Sequence, residues 1–178
     1  RLQVEREVAE GLDRLALALE RAREDLPRVV GASLLDRVAD RPAGFSRPNA
    51  HELRITPSHA LAAGSRFVVV VRYHGRPGTI SWDGESNWLA DDDEVVAMNQ
   101  PHMAPWWFPA NDHPRDRARM DIHITTPRGR RVVANGHLVG RAVHGQRVTT
   151  HWRAAEPMSW PAASTAKLLR TPTPVVTP

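Results

Sequence analysis

Ala118-Arg-Met-Asp-Ile-His-Ile-Thr-Thr126 alternates without a break, with Met120, Ile122 and Ile124 on one side and Asp121, His123 and Thr125 on the other. A period of two belongs to a half-buried β-strand, whose successive side chains point to opposite faces. The stretch ends at the turn residues Pro127-Arg-Gly129, and the chain beyond them repeats the signal. Arg131 to Ala134 reads as a strand, Asn135-Gly136 as a two-residue hairpin turn, and His137 to Val143 as the return strand. His144-Gly145 then turns the chain into Arg147 to Arg153, which alternates again. These segments predict an antiparallel meander in a mainly β chain.

Just upstream lies Val95-Val-Ala-Met-Asn-Gln-Pro-His-Met-Ala-Pro-Trp-Trp-Phe-Pro-Ala-Asn-Asp-His-Pro114. Pro101, Pro105, Pro109 and Pro114 each fix φ and remove a backbone donor, so no helix runs through it. Trp106, Trp107 and Phe108 carry roughly 150–250 Å² of ring surface each, which needs burial. A strand ending in so rigid a knot must pack on something.

Earlier in the chain, Glu52-Leu-Arg-Ile-Thr56 alternates as a half-buried strand, and Arg66 to His74 is apolar and β-branched enough for a central strand buried on both faces. Gly75-Arg-Pro-Gly78 is a turn, and Trp82, Trp88 and Asp91-Asp-Asp-Glu94 fall in a long irregular loop. Residues 2 to 26 read differently. Val8, Leu12, Leu15, Leu19, Ala22 and Leu26 alternate spacings of four and three, which predicts one amphipathic helix stopped at Pro27. The expected organisation is a helix over 1–27, a linker over 28–44, a β domain over 45–158 and an unstructured Pro/Thr tail over 159–178.

The 178 residues suffice for one domain with a sizeable core. Mean hydropathy is −0.44, and the longest apolar run, Phe67-Val-Val-Val-Val71, is far short of the ~20 residues of a membrane helix, so no membrane partner is expected. The net charge of +4 and pI near 10.8 invite a nucleic-acid reading, but only Lys167 among the 24 basic residues is lysine, and the arginines are interspersed with 20 acids. The densest run, Arg115-Asp-Arg-Ala-Arg119 with Arg128, Arg130 and Arg131, reads as a solvated face, so no nucleic-acid partner is expected. Having no cysteine, the chain has neither disulfides nor thiolate metal sites, and its compartment stays open. It opens on Arg1 with no apolar signal core behind it, which points to a native start elsewhere.

Nine histidines prompt a search for metal ligands. His51-Glu52 begins like the zinc-protease helix motif, but its fifth position is Ile55 and the segment is a strand. His137, His144 and His151 recur every seven residues, yet the turn at His144-Gly145 removes any reason for convergence. Asp121 and His123 share the outer face of their strand. Asp112 and His113, neighbours in an extended segment, point apart, and a turn-closing Asp112 is the simpler reading. No nucleophile elbow, P-loop or dinucleotide fingerprint is present. Neither a catalytic residue nor a metal ligand is expected in this chain.

Trp107-Phe-Pro-Ala-Asn-Asp-His-Pro114, then Asp121, then Val132-Val-Ala-Asn-Gly-His-Leu138 and Trp152-Arg-Ala-Ala-Glu-Pro-Met158 together resemble the amino-terminal β domain of zinc metallo-aminopeptidases of the aminopeptidase N and leukotriene hydrolase type, with an actinobacterial spelling. The resemblance covers roughly 42–158 and is most specific over 95–158. It implies a non-catalytic β domain, its antiparallel sheets arranged as a saddle or sandwich, packed on a separate catalytic domain, with zinc and the catalytic motifs in that other part. It also implies a substrate-binding role for Gln100, eight positions before Phe108, which would help hold the free amino end of a peptide. A Gln carbonyl can accept from an ammonium, and a strand-end cap is the alternative reading of the same residue. On the family reading, aromatics around Trp82, Trp88 and Trp106 contribute to the interface, and the chain is a fragment, truncated or frame-altered, inactive alone. A stand-alone β-sandwich interaction module, recruiting a partner through the helix over 2–26, is the reading from a different class.

Overall fold

The computed structural model describes residues 2–7, 15–18, 28–35, 40–49, 52–63, 66–81, 83–100, 103–110, 113–159 and 166–170. They are mainly β, in antiparallel sheets, as the alternation predicts. Two compact units are present, Arg1–Ile80 with His102–Asp112, and Ser81–Pro101 with His113–Pro178.

The first unit is built around β7 (Arg66–His74). Its Phe67, Val69, Val70 and Val71 are all buried, so both faces are covered and both edges need hydrogen-bonding partners. One edge pairs with β1 (Leu2–Glu7), in the register Leu2↔Val71 to Glu7↔Arg66. The other pairs with β3 (Arg28–Leu35), which β4 (Asp40–Pro42) extends, giving the order β1-β7-β3-β4. A second sheet sets β6 (Glu52–Thr56) between β2 (Leu15–Ala18) and β5 (Gly44–Asn49). Leu53 and Ile55 are fully buried, as the period of two requires.

These strands correct two expectations. Residues 2–7 and 15–18 are strands rather than turns of one amphipathic helix, and the rest of 2–26 lies outside the described residues. Leu2-Gln-Val-Glu5 also carries a period of two, and the open edges of β7 and β6 select it over the longer 3.5-residue period. The segment read as linker holds β3 and β4, because the second edge of β7 must be paired as well.

The aromatic–proline segment belongs to this unit and is core. A 3-10 turn over Ala104–Trp106 is closed by Trp106 N–H to the Met103 carbonyl (3.1 Å) and by Trp107 and Phe108 N–H to the Ala104 carbonyl (3.3 Å each). Pro105 fits the first turn, where its missing donor costs nothing. Trp106, 3% exposed, packs with Ile80 and Met103, so it is core rather than the interface aromatic expected from the sequence. The Phe108 ring meets Trp107 edge-on at 5.1 Å. Trp88 is half-buried, and Trp82 lies outside the described residues.

In the second unit, β10 (Arg117–Pro127), β13 (Arg147–Ser159) and β12 (His137–His144) form one sheet in the order β10-β13-β12. β11 (Arg130–Ala134) joins a different one, β11-β14-β9-β8, with β8 (Trp88–Ala90), β9 (Glu94–Ala97) and β14 (Ala166–Arg170). Three readings change here. The loop expected around Asp91 is a β8–β9 hairpin, and the tail expected to be unstructured supplies β14 over 166–170, which fills the gap between β11 and β9. Residues 160–165 and 171–178 lie outside the described residues. Nor is 118–153 a simple meander, because Asn135-Gly136 links strands of two sheets instead of folding β11 onto β12. Gly136 has φ +92°, and a Cβ there would lie 2.0 Å from the Arg153 carbonyl oxygen, so the chain crosses β13 at van der Waals limit.

That crossing separates two glycines of similar conformation. Gly136→Ala is expected to destabilise by roughly 2–5 kcal/mol, combining left-handed strain with overpacking against backbone. Gly129→Ala has φ +84° but open space around its Cβ, and is expected to cost only about 1–2 kcal/mol. Urea unfolding of the two variants checks the difference.

Candidate functional site

Two places in the second unit gather polar side chains. The first is the end of β9. Asn87 and Asn99 are fully buried, and Asn87 Nδ2 donates to Asn99 Oδ1 at 3.1 Å while the Met98 N–H donates to the Asn87 carbonyl at 2.9 Å. At the far end of the hairpin, Asp91 Oδ1 accepts the N–H groups of Asp93 (2.8 Å) and Glu94 (2.7 Å). The hydrogen bonds from Glu94 and Asp93 hold the Asp91 carboxyl below the usual aspartate range. Neighbouring strands add to the clamp: Lys167 Nζ on β14 lies 2.8 Å from Glu94 Oε2, and an Arg130 guanidinium N–H donates to the Asp93 carbonyl at 3.0 Å.

Gln100 follows directly on the buried Asn99 and is exposed in a turn. Its side chain has no hydrogen-bond partner among the described residues, which leaves the strand-cap reading without support there. The backbone beneath it is held by the Asn87–Asn99 pair, and the carboxamide is presented to solvent. Such a group can accept from an ammonium or donate to a carbonyl.

The second place is the outer face of the β10–β13 ladder. The register sets Asp121 opposite Arg153 and His123 opposite His151, so all four share one face. His151 Nε2 lies 2.6 Å from Asp121 Oδ1, and Arg153 Nε donates to the same oxygen at 2.8 Å. The His123 and His151 rings stack with centroids 3.9 Å apart and 14° between planes. Partial desolvation pushes the Asp121 carboxyl up, but the hydrogen bonds from His151 and Arg153 outweigh it and hold the group below its ordinary range. The outer-face placement of Asp121 and His123 is legible in their i,i+2 spacing. His151 is not, because only strand pairing brings it there from 28 residues away.

Other residues singled out from the sequence do not converge. Glu52 lies on strand β6, as expected from the failed zinc-protease pattern, and His51 is outside the described residues. His113 closes a turn, its Nδ1 accepting the Arg115 N–H at 3.2 Å while its carbonyl accepts the Asp116 N–H at 2.9 Å; Asp112 is outside the described residues. Among the described residues, Asp121, His123 and His151 are the one group of three side chains able to share a metal ion, each with one ligand atom within 4.8 Å of the others.

No protein-family model matches the chain, and no curated protein sequence does. Solved structures do. An M1 zinc metallopeptidase from Deinococcus radiodurans aligns over 94% of this chain and 36% of its own length, with TM-score 0.78 and 21% identity. A variant of a two-domain M1 zinc metallopeptidase bound to L-arginine aligns with TM-score 0.78 at 20% identity, over 94% of this chain and 37% of its own. A variant of the Deinococcus radiodurans enzyme bound to a Tyr-Ser-Ala substrate gives TM-score 0.76 at 21% identity over the same shares. The chain therefore has the fold of a region spanning just over a third of those enzymes.

The Asp91 turn gives a pH-dependent expectation. Because the folded carboxyl titrates low, its contribution is full above the ordinary aspartate value of about 3.9 and is lost as pH falls through the folded value. Carboxyl-detected NMR is expected to place the Asp91 midpoint below that value, with the Glu94 amide resonance moving over the same range. In Asp91→Ala the Glu94 amide should lose that titration.

Proposed function

We propose that this chain serves as the non-catalytic amino-terminal β portion of a zinc metallo-aminopeptidase, which removes residues from the amino ends of peptides. The likeness of 94% of the chain to just over a third of M1 zinc metallopeptidases carries the reading. The aromatic–proline and Val132–Leu138 motifs point to the same family. The partner is then a catalytic domain that supplies the zinc and the groups that activate water.

The described residues of this chain do not fit that zinc. The reaction needs an open metal site with a carboxylate base beside it. Here Ile55 stands where the helix motif needs its second histidine, and β6 is a strand. The Asp121, His123 and His151 group has no further carboxylate among its ligand-distance members to act as base. No hydrolytic step is assigned to this chain.

Its contribution is recognition of the substrate's amino end by Gln100. A neutral carboxamide facing an ammonium makes a hydrogen bond to a charged group, worth about 1.5–3 kcal/mol. The exposure of Gln100 beside a buried, hydrogen-bonded anchor supports this assignment, since a contact residue must be free to meet substrate and yet held in place. The competing interaction-module reading relied on a helix at residues 2–26, of which 2–7 and 15–18 are strands.

The test grafts this chain in place of the corresponding third of the Deinococcus radiodurans enzyme and follows release of amino-terminal residues. The chain alone, with added zinc, is expected to show no turnover, and the chimera is expected to be active. Gln100→Ala in the chimera should lower kcat/KM by about tenfold to a hundredfold, the equivalent of 1.5–3 kcal/mol. Turnover by the chain alone, or a chimera indifferent to the substitution, would remove the reading or the residue respectively.

A further inference from the structure

We propose that Asp121, His123 and His151 form a binding site for a divalent transition-metal cation of the zinc type on the outer face of the β10–β13 ladder. The inference is independent of the peptidase reading, since it rests on this chain's own side chains.

The donor set comes first. Two imidazoles and one carboxylate match the nitrogen and oxygen ligands of zinc, cobalt, nickel and copper, whereas magnesium and calcium take oxygen almost exclusively. Position comes second. His123 and His151 are direct partners across the ladder, and Asp121 stands two residues before His123 on the same face. All three ligand atoms lie within 4.8 Å of one another. Tetrahedral zinc needs its donors roughly 3.3 Å apart, so the widest gap closes by no more than about 1.5 Å. Side-chain rotation can supply that movement, and must also turn the stacked His123 and His151 rings so that their in-plane lone pairs converge. It is open to them because Asp121 and His123 are exposed and His151 is half-buried. The ladder backbone need not move.

Three further features favour an ion over a purely structural cluster. His123 makes no hydrogen bond to a described residue; its contact is the stack on His151, which leaves its ring nitrogens open to a ligand. Both hydrogen bonds to Asp121 converge on Oδ1, so Oδ2 is available; on binding, the ion takes the place of the His151 Nε2 contact while Arg153 and Oδ1 stay together. Arg153 then orients the carboxylate from behind, as the outer partners of metal ligands do. Finally, β12 bulges between Leu138 and Gly140, and Gly140 is the partner of His151. A Cβ on Gly140 would meet nothing within 4 Å, so the ladder leaves space beside His151 on the face the ion would occupy. The guanidinium of Arg153 opposes a cation, but its side chain is half exposed and water screens the repulsion.

Bound there, an ion would tie β10 to β13 at the middle of their pairing. Zinc chloride is titrated into the full chain by calorimetry, with magnesium chloride in parallel. The expected result is saturable uptake of zinc without matching uptake of magnesium. His123→Ala removes a ligand but no hydrogen bond to a described residue, and should weaken zinc binding by at least about tenfold. His137→Ala, whose histidine lies opposite Arg153 on the adjacent strand, should leave it unchanged. Ring-proton NMR on the parent chain gives a second reading, in which sub-stoichiometric zinc should shift His123 and His151 together. No saturable uptake, equal uptake by His123→Ala, or shifts confined to other histidines overturns the proposal.

Discussion

A strand buried on both faces has nowhere to send its backbone N–H and C=O groups except sideways. β7 is such a strand, with Phe67, Val69, Val70 and Val71 all closed to solvent, and an unpaired edge there would bury polar groups without partners. The first unit answers that constraint. β1 supplies one edge and β3 the other, each in antiparallel register along most of the length of β7. β6 repeats the arrangement on a smaller scale between β2 and β5. The aromatic–proline segment adds a compact turn whose Trp106, Phe108 and flanking prolines are buried in the same unit. Proline and tryptophan suit that place for complementary reasons, the one removing backbone donors that would need partners and the other contributing a large apolar surface.

The second unit depends on one crossing. At Gly136 the chain leaves the sheet of β11 and enters that of β12, and only glycine leaves room for the β13 backbone beneath it. Because β11 does not fold back on β12, it needs another partner, and β14 provides it. The same β14 pairs with β9, so the carboxyl-terminal strand also anchors the hairpin that ends at Asn99 and Gln100. The position of an exposed carboxamide is thus tied, through three strands, to a glycine some 36 residues further on.

Both proposed sites are faces or ends of strands rather than pockets lined by loops. Gln100 projects from the end of a hairpin whose buried asparagine pair limits its wander. The Asp121, His123 and His151 group lies flat on a ladder, where register alone sets the spacing. A peptide end approaching one and an ion the other would each meet side chains held by hydrogen-bonded backbone, which is the condition for preorganised recognition.

β7 was legible from its unbroken β-branched apolar run, and β11 and β12 from short strand patterns on either side of Asn135-Gly136. Alternation was enough to place β6, β10 and β13, because the period-two signal is local. The outward placement of Asp121 and His123 was legible for the same reason. Tertiary structure decided what depended on neighbours. Leu2–Glu7 became a strand because β7 had an open edge, Ala166–Arg170 because β11 and β9 lacked a common partner, and Asn135-Gly136 a sheet crossing because of what lies under Gly136. His151 met His123 only once β13 had taken its register against β10. Periodicity marks which side of a segment is apolar, whereas pairing across sequence distance is settled by the backbone hydrogen bonds each strand still has to make.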